Sequence, residues 1–422
     1  MTVHATHDQS RRVISLAASI SPQANMHRPL DVRHLILDVC ASHPAQANGV
    51  FNVARQLALE QLHAGDTARI MFLCDPDSRP GTNSESVPVT VCPVVAPRVK
   101  GRPLFLPSQI ESEIVKGVTP STVFHIHGGR NPLLIYLARA LQKRHLRFAV
   151  TVHGRYSHVF DEQQRLVRSM PAIYLRWLEG RALASATFVH AVSPIERDIL
   201  RQLSPNASVE FIANAAYSSA LDGTPGVPPR RLPSAQFPTF GYFGRLEIEH
   251  KGLDLLVHGF AQYRHRGGRG RLSIFGSGPG LEKLTAIVKE AGVSGSVDLA
   301  GPQFDEAKFE RLRAWDFLVM PSRFDGMPIA ALEAGITGLP LILSPATGLG
   351  EHIKKFKAGD VITPLTADGV SEALSRASGV SADDFQRLSL NAYHMALDVG
   401  DWTSVAERLR ILYESPELSK SR

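Results

Sequence analysis

Short runs of consecutive apolar residues alternate along this chain with stretches whose apolar positions fall three and four apart. In the first half the runs are HLILDVC, ARIMFLC, VFHIHG, FAVTVHG, FVHAVS and VEFIAN; in the second they are FGYFGR, LSIFG, SVDLAG, FLVMPS and PLILSP. Helical spacing marks Asn52 to His63, Pro132 to Arg144 and the segment carrying Leu253, Leu256, Val257 and Phe260. A strand covered by helices on both sides has no polar face, so its sequence is apolar throughout instead of alternating. The pattern therefore predicts an α/β protein with parallel sheets. Asp222 to Pro238 is rich in Pro and Gly and reads as a linker. Two doubly wound domains facing across a cleft follow, with ligands expected beyond the C-terminal ends of the strands. The expected divisions are a mobile arm over 1–30, a first domain over 31–221, the linker over 222–238 and a second domain over 239–396. Residues 397–422 are expected to pack back on the first domain, after a helix break near Gly400.

At 422 residues the chain is too long for one comfortable core, which agrees with two domains. With 44% apolar and 20% charged residues it has the composition of an ordinary globular protein. No apolar run approaches the roughly 18 residues needed to cross a bilayer. Ser10-Arg11-Arg12 before Val13 to Ile20 faintly resembles a twin-arginine signal, but that apolar core is at the short limit and lacks a cleavage site. Cys40, Cys74 and Cys92 have no metal or redox spacing and read as reduced cysteines of a cytoplasmic protein. Through Ala220 the chain carries 23 Lys and Arg against 16 Asp and Glu; the remainder carries 23 against 24. The basic half suits either an anionic membrane surface or anionic acceptor, or a solvated face without a partner. No nucleic-acid motif accompanies the charge.

The segment MPSRFDGMPIAALE, Met320 to Glu333, concentrates the candidate chemistry. A strand ends in Pro-Ser, a tight turn carries Asp325 and Gly326, and a helix opens near Pro328 with Glu333 on its second turn. A helix N-terminus after a glycine turn offers free N–H groups and the positive end of the helix dipole to an anion. Carboxylates beside it suit a ligand that carries hydroxyls as well as phosphates. Arg245 and Lys251 flank one strand-to-helix loop on the same predicted edge, where two cations would neutralise a diphosphate; as a pair of surface cations they would be unexceptional. The turn Phe275 to Gly280, with Gly278, fits a phosphate cradle or a tight packing turn equally well, and it lacks the spacing and the strand-end acid of a dinucleotide fingerprint. Gly49, after the first strand, would let backbone approach a ligand. His125 and His127 alternate on one strand, and His153 ends another before Gly154. Histidines at strand ends facing a cleft bind sugar hydroxyls or donate to phosphate, and His153 is the strongest candidate. Asp75-Pro-Asp77 reads as a turn, and no cluster has metal-ligand spacing. The segment Gln163 to Ala184 combines arginines with Tyr174 and Trp177, as a membrane-surface helix would, although Pro171 interrupts it and an ordinary packed helix has the same composition.

With these segments in order, the chain resembles the retaining glycosyltransferases of family 4 and their GT-B architecture of two Rossmann-like domains. The resemblance runs over about residues 30–415. It is strongest in GYFGR…KGLDLL, LSIFGSGPG, VDLAG, FLVMPSRFDGMPIAALEAGITGLPLILS and GLGE, and weaker in NGVFNVARQLALE, VFHIHGG, AVTVHG, AVSPIERDIL and FIANAA. It implies that Arg245 and Lys251 grip the donor diphosphate, that Glu333 binds the ribose and that Asp325 contacts the transferred sugar. It also implies that Gly326, Met327, Pro328 and Ile329 turn amides toward the phosphate and sugar, that His153 stands near the reacting sugar and that Gly49 belongs to the first domain's glycine loop. Asp325 stands where Glu is usual, and FIANAA where relatives usually show Pro-Asn-Gly.

The resemblance implies a nucleoside-diphosphate sugar as donor, a glycan, lipid-linked or other hydroxyl acceptor, retained configuration, and no cofactor or metal. Surface-polysaccharide or glycoconjugate assembly in the cytoplasm, with contact to the inner membrane face, is the expected setting. A non-catalytic nucleotide-sugar-binding protein of the same fold, or a sugar-nucleotide epimerase or phosphorylase, stays open beside it.

Overall fold

The apolar runs form strands, and their lack of alternation has the expected cause: helices cover both faces. In the computed structural model, the residues described are 28–37, 49–74, 86–99, 102–156, 175–217, 226, 237–303 and 305–415. The first sheet contains β1 (Asp31–Ile36), β2 (Thr67–Cys74), β3 (Val89–Pro93), β6 (Thr122–His127), β7 (Arg147–Thr151), β8 (Phe188–Ala191) and β9 (Val209–Phe211). Its order is β3-β2-β1-β6-β7-β8-β9, with every pairing parallel. A short antiparallel ribbon, β4 (Arg98–Val99) and β5 (Arg102–Pro103), stands apart. The second sheet contains β10 (Thr239–Phe243), β11 (Arg271–Phe275), β12 (Val297–Leu299), β13 (Phe317–Met320), β14 (Leu341–Leu343) and β15 (Gly359–Val361), parallel in the order β12-β11-β10-β13-β14-β15. In each sheet the order reverses beside the first strand, so a crevice opens at the C-terminal ends of β1 and β6 and of β10 and β13.

Cys74 and Cys92 are buried at or near the ends of paired strands. The arm, Cys40, Asp75-Pro-Asp77 and nearly all of the expected linker lie outside the described residues. So does most of Gln163 to Ala184, of which a single π-helical turn, Leu175–Glu179, and the helix Gly180–Ala184 are described. The boundary expected at 396/397 falls inside one helix, Ala382–Val399, which packs on the second domain; the chain changes domain at Gly400 instead. The last helix, Trp402–Glu414, then lies on the first domain. Trp402, Val405, Leu409 and Tyr413 share a buried cluster with Val32, Val53, Leu57, Val123 and Phe188. Burying such side chains stabilises by roughly 1.5–3 kcal/mol each, enough to hold a terminal helix across a domain boundary.

Candidate functional site

Two loops of the second domain are locked together before any ligand is considered. Lys251 ends a four-residue helix, Ile248–Lys251, and Gly252 follows in the left-handed region at φ 65°. A Cβ on Gly252 would lie 2.0 Å from the Pro321 carbonyl oxygen, so only glycine lets the Lys251 loop close on the end of β13. That contact places the Lys251 Nζ 2.6 Å from Asp325 Oδ2, an ion pair that is mostly buried. Arg323 forks onto Asp254 at 2.8 and 2.7 Å and fixes the approach to the turn from the other side. Arg245 lies on the same loop as Lys251, and its guanidinium pairs with Glu247 at 3.0 Å. The Glu247 carboxyl is held low by its His250 hydrogen bond, then by Arg245 and Lys251, against burial, so these charges form one group. Tyr242 donates to the Arg245 carbonyl at 2.9 Å, and burial, then the Asp325 charge, pushes its phenol up.

The helix Ile329–Ile336 opens at Pro328 without a side-chain cap, leaving its first N–H groups for a ligand. Glu333, on its second turn, accepts from Lys308 at 2.8 Å. Lys308 also lies over the Phe243 ring, 5.6 Å from its centre, at the end of the strand that leads into Arg245. Sequence reasoning missed Lys308, because its helix, Asp305–Ala314, has no apolar stripe to show which face turns inward.

Across the cleft, His153 follows β7 with φ 53° and Gly154 with φ 73°, a left-handed pair that costs about 1–2 kcal/mol at the histidine. Glu196 holds this turn: its carboxyl accepts from the Gly154 N–H and, at 2.7 Å, from the Val192 N–H. Burial pushes that carboxyl up to about 7 against those two donors. The signal was legible as Ser193-x-x-Glu196, a capping box whose serine accepts from the Glu196 N–H at 3.1 Å. Here the glutamate reaches beyond its own helix to the neighbouring loop. Gly154 then meets Gly326: a Cβ on Gly154 would lie 3.7 Å from the Gly326 nitrogen. Met327 accepts across the same gap from the Asn214 amide at 3.3 Å, and Asn214 Oδ1 is buried without a partner among the described residues. Asp325 forms a parallel bridge with Thr347.

The structure thus brings His153, Asp325, Gly326, Met327 and Lys251 to one place, with Arg245, Pro328, Ile329 and Glu333 around it. Two expectations are revised, for Gly278 and for the pair His125 and His127. Gly278 packs against the cation loop: a Cβ there would lie 2.6 Å from the Leu246 carbonyl oxygen, and Leu246 donates to the Ser277 carbonyl and accepts from the Gly280 N–H, each at 2.9 Å. The glycine turn supports the Arg245 loop instead of lying open as a cradle. Gly49 is the first residue of a helix, Gly49–His63, with open space about its Cβ position. His125 and His127 are fully buried in the first sheet and do not face the cleft. With His34 they form a group whose ring nitrogens lie within 4.8 Å of one another, a spacing that a metal ion could bridge. Each of these rings already has protein partners at both nitrogens.

The model of the family "Glycosyl transferases group 1" matches residues 237–378, and that of the "Glycosyl transferase 4-like domain" matches residues 48–215. A GDP-mannose-dependent alpha-(1-6)-phosphatidylinositol monomannoside mannosyltransferase of Mycolicibacterium smegmatis is 26% identical over 269 residues, 54% of this chain and 69% of that protein. Its Mycobacterium tuberculosis counterpart is 29% identical over 40% of this chain and 47% of its own length. A D-inositol 3-phosphate glycosyltransferase of Corynebacterium urealyticum is 30% identical over 42% of each. The match thus spans about half the length of most of these curated relatives. Among solved structures, Anabaena HepE with UDP and glucose aligns at a TM-score of 0.68 and 16% identity, over 92% of this chain and 100% of that one. Sucrose-phosphate synthase from Thermosynechococcus elongatus aligns at 0.66 and 20%, over 91% and 98%. These two establish the GT-B fold.

Proposed function

We propose that this chain, which belongs to the group 1 glycosyl transferases, moves a sugar from a nucleoside-diphosphate donor to a hydroxyl acceptor with retained configuration. The observation that carries the reading is the contact between the Asp325-Gly326 turn, bearing the Lys251 pair, and the His153-Gly154 turn of the other domain. A diphosphate over the helix that opens at Pro328 meets free N–H groups, Lys251 and Arg245 together. Its sugar then points toward His153. The bond from the anomeric carbon to the diphosphate oxygen breaks, and the acceptor oxygen forms its bond on the same face. The acceptor proton passes to the departing phosphate oxygen. Charge developing on the phosphate is taken by the two cations, so the reaction calls for no resident metal. Domain closure over the cleft keeps water from the donor.

GDP-mannose is the first donor to test, because two relatives are named for it. A lipid-linked or glycan acceptor in surface-polysaccharide or glycoconjugate assembly fits the same reading, with the basic first half turned toward an anionic cytoplasmic membrane face. No helix among the described residues is long and apolar enough to cross a membrane. The test is nucleotide release from a panel of nucleotide sugars, with and without acceptors, and the anomeric configuration of any product. Acceptor-dependent release with retention is expected. Binding without release under every acceptor would place the chain among non-catalytic binders, and release on phosphate alone among phosphorylases.

A further inference from the structure

The turn that carries Asp325 is seated among the ends of three successive first-domain strands, β7, β8 and β9. The three heavy atoms nearest to a Cβ on Gly326 would be Val192 Cγ2 at 3.3 Å, Gly154 Cα at 3.9 Å and Ser193 Oγ at 3.9 Å, all of the first domain. The Gly326 backbone lies outside the left-handed region, so the turn itself does not call for glycine. What leaves little room for a side chain there is the other domain. Val192 is buried among apolar side chains of the second domain's core. A Cβ on Gly348, on the same wall, would lie 3.0 Å from Ser193 Cβ. Asn214, after β9, reaches the next residue of the turn, with its amide nitrogen 3.3 Å from the Met327 carbonyl oxygen.

We propose that Glu196 is a positioning residue for sugar transfer: its one carboxylate ties the turn after β7 to the turn after β8 and so shapes the socket that receives Asp325-Gly326-Met327. Glu196 lies in the first turn of the helix Pro194–Leu203. Its Oε1 accepts from the Gly154 N–H, its Oε2 accepts from the Val192 N–H at 2.7 Å, and its own N–H donates to Ser193 Oγ at 3.1 Å. The three residues nearest to Gly326 are therefore the three that Glu196 bonds. Both partners of the carboxyl are N–H donors, so both of its oxygens must accept. A carboxylate does so; an amide in its place would set an NH2 group against an N–H. Bonds to a charged acceptor are stronger than neutral ones, and Glu196 is buried, so water does not compete for them. His153 directly precedes Gly154, so the same carboxylate fixes where His153 stands relative to the Lys251–Asp325 pair. Glu196 acts through these turns and not on the donor itself.

The effect on turnover rests on the transferase reading; the seating of one domain on the other does not. The test is small-angle X-ray scattering of the full chain, free and with GDP-mannose, beside steady-state kinetics, for Glu196→Gln and Gly326→Ala. Gly326→Ala adds one methyl group to a backbone that accepts it, and it serves where Glu196→Gln fails to fold. Both variants are expected to show a larger radius of gyration than the parent chain. Both are expected to lower kcat about 10-fold or more, because a small misplacement of reacting groups is costly. Affinity for GDP and UDP, measured by calorimetry, is expected to stay at the parent's value, because Lys251, Arg245 and the helix that opens at Pro328 all belong to the second domain. A general loss of folded structure would lower affinity and kcat together. Radii equal to the parent's in the folded variants, or a loss of diphosphate affinity as large as the loss of kcat, would overturn the proposal. Larger radii in the variants of a chain that transfers no sugar would instead sink the transferase reading alone.

Discussion

The two domains share a topology but fill it differently. The second sheet is packed almost wholly with apolar side chains, and none of its described histidines is buried. Its charges stand on helices and a turn at the cleft, in the pairs Lys251–Asp325 and Lys308–Glu333. The first sheet carries His34, His125, His127, Thr151 and His190 in its interior, all fully or almost fully buried. One domain supplies charge to the cleft; the other buries hydrogen-bonded imidazoles in its sheet. A doubly wound sheet tolerates either solution, because each of those five side chains is hydrogen-bonded and each apolar strand of the second needs nothing further.

Acid should separate the domains most strongly. The buried histidines have folded pKa values below their unfolded value of about 6.5, so the unfolded chain binds protons first as pH falls. Their contribution is complete above about 6.5 and is lost toward about 4 for His34 and His190, each withdrawing about 2 kcal/mol by pH 5. Glu179 and Glu196, raised by burial to about 7, act with the opposite sign: they favour the fold below about 4.5 and lose that contribution as pH rises through 7. Four buried histidines outweigh two carboxyls, so hydrogen exchange at pH 5 is expected to show the first domain opening before the second. Simultaneous opening would contradict the contrast.

A smaller effect is expected at the joint of the second domain. Gly252→Ala forces a Cβ toward the Pro321 carbonyl in a left-handed conformation, and thermal unfolding should show a loss of about 1–3 kcal/mol together with weakened donor binding. The smallest concerns Glu247, whose partner Arg245 is 46% exposed. Glu247→Gln should change stability by less than about 1 kcal/mol, because exposed pairs are screened by water.

The contrast also marks what the sequence could reveal. The strands were legible because doubly covered strands are apolar without interruption. β3 and β15 were not, since edge strands such as VTVCP are half exposed and GDV is three residues long. The Lys251–Asp325 turn was legible because glycine and proline punctuate it. The buried histidine contacts were not: His125 meets Tyr413 across 288 positions, and no local spacing encodes that meeting. His125 and His127 were visible as an alternating pair, but alternation alone does not distinguish a covered face from one open to the cleft. Gly278 misled for a related reason, since a glycine demanded by the Leu246 backbone looks the same as one demanded by a phosphate.

The central claim is that Lys251 acts on the diphosphate of a sugar donor held between the two turns. The most direct measurement is the turnover of Lys251→Ala at saturating donor, with the melting temperature as a check that the variant is folded. A fall of roughly 100-fold or more is predicted, the size of a lost charge on the leaving group. Turnover equal to that of the parent chain would contradict the account.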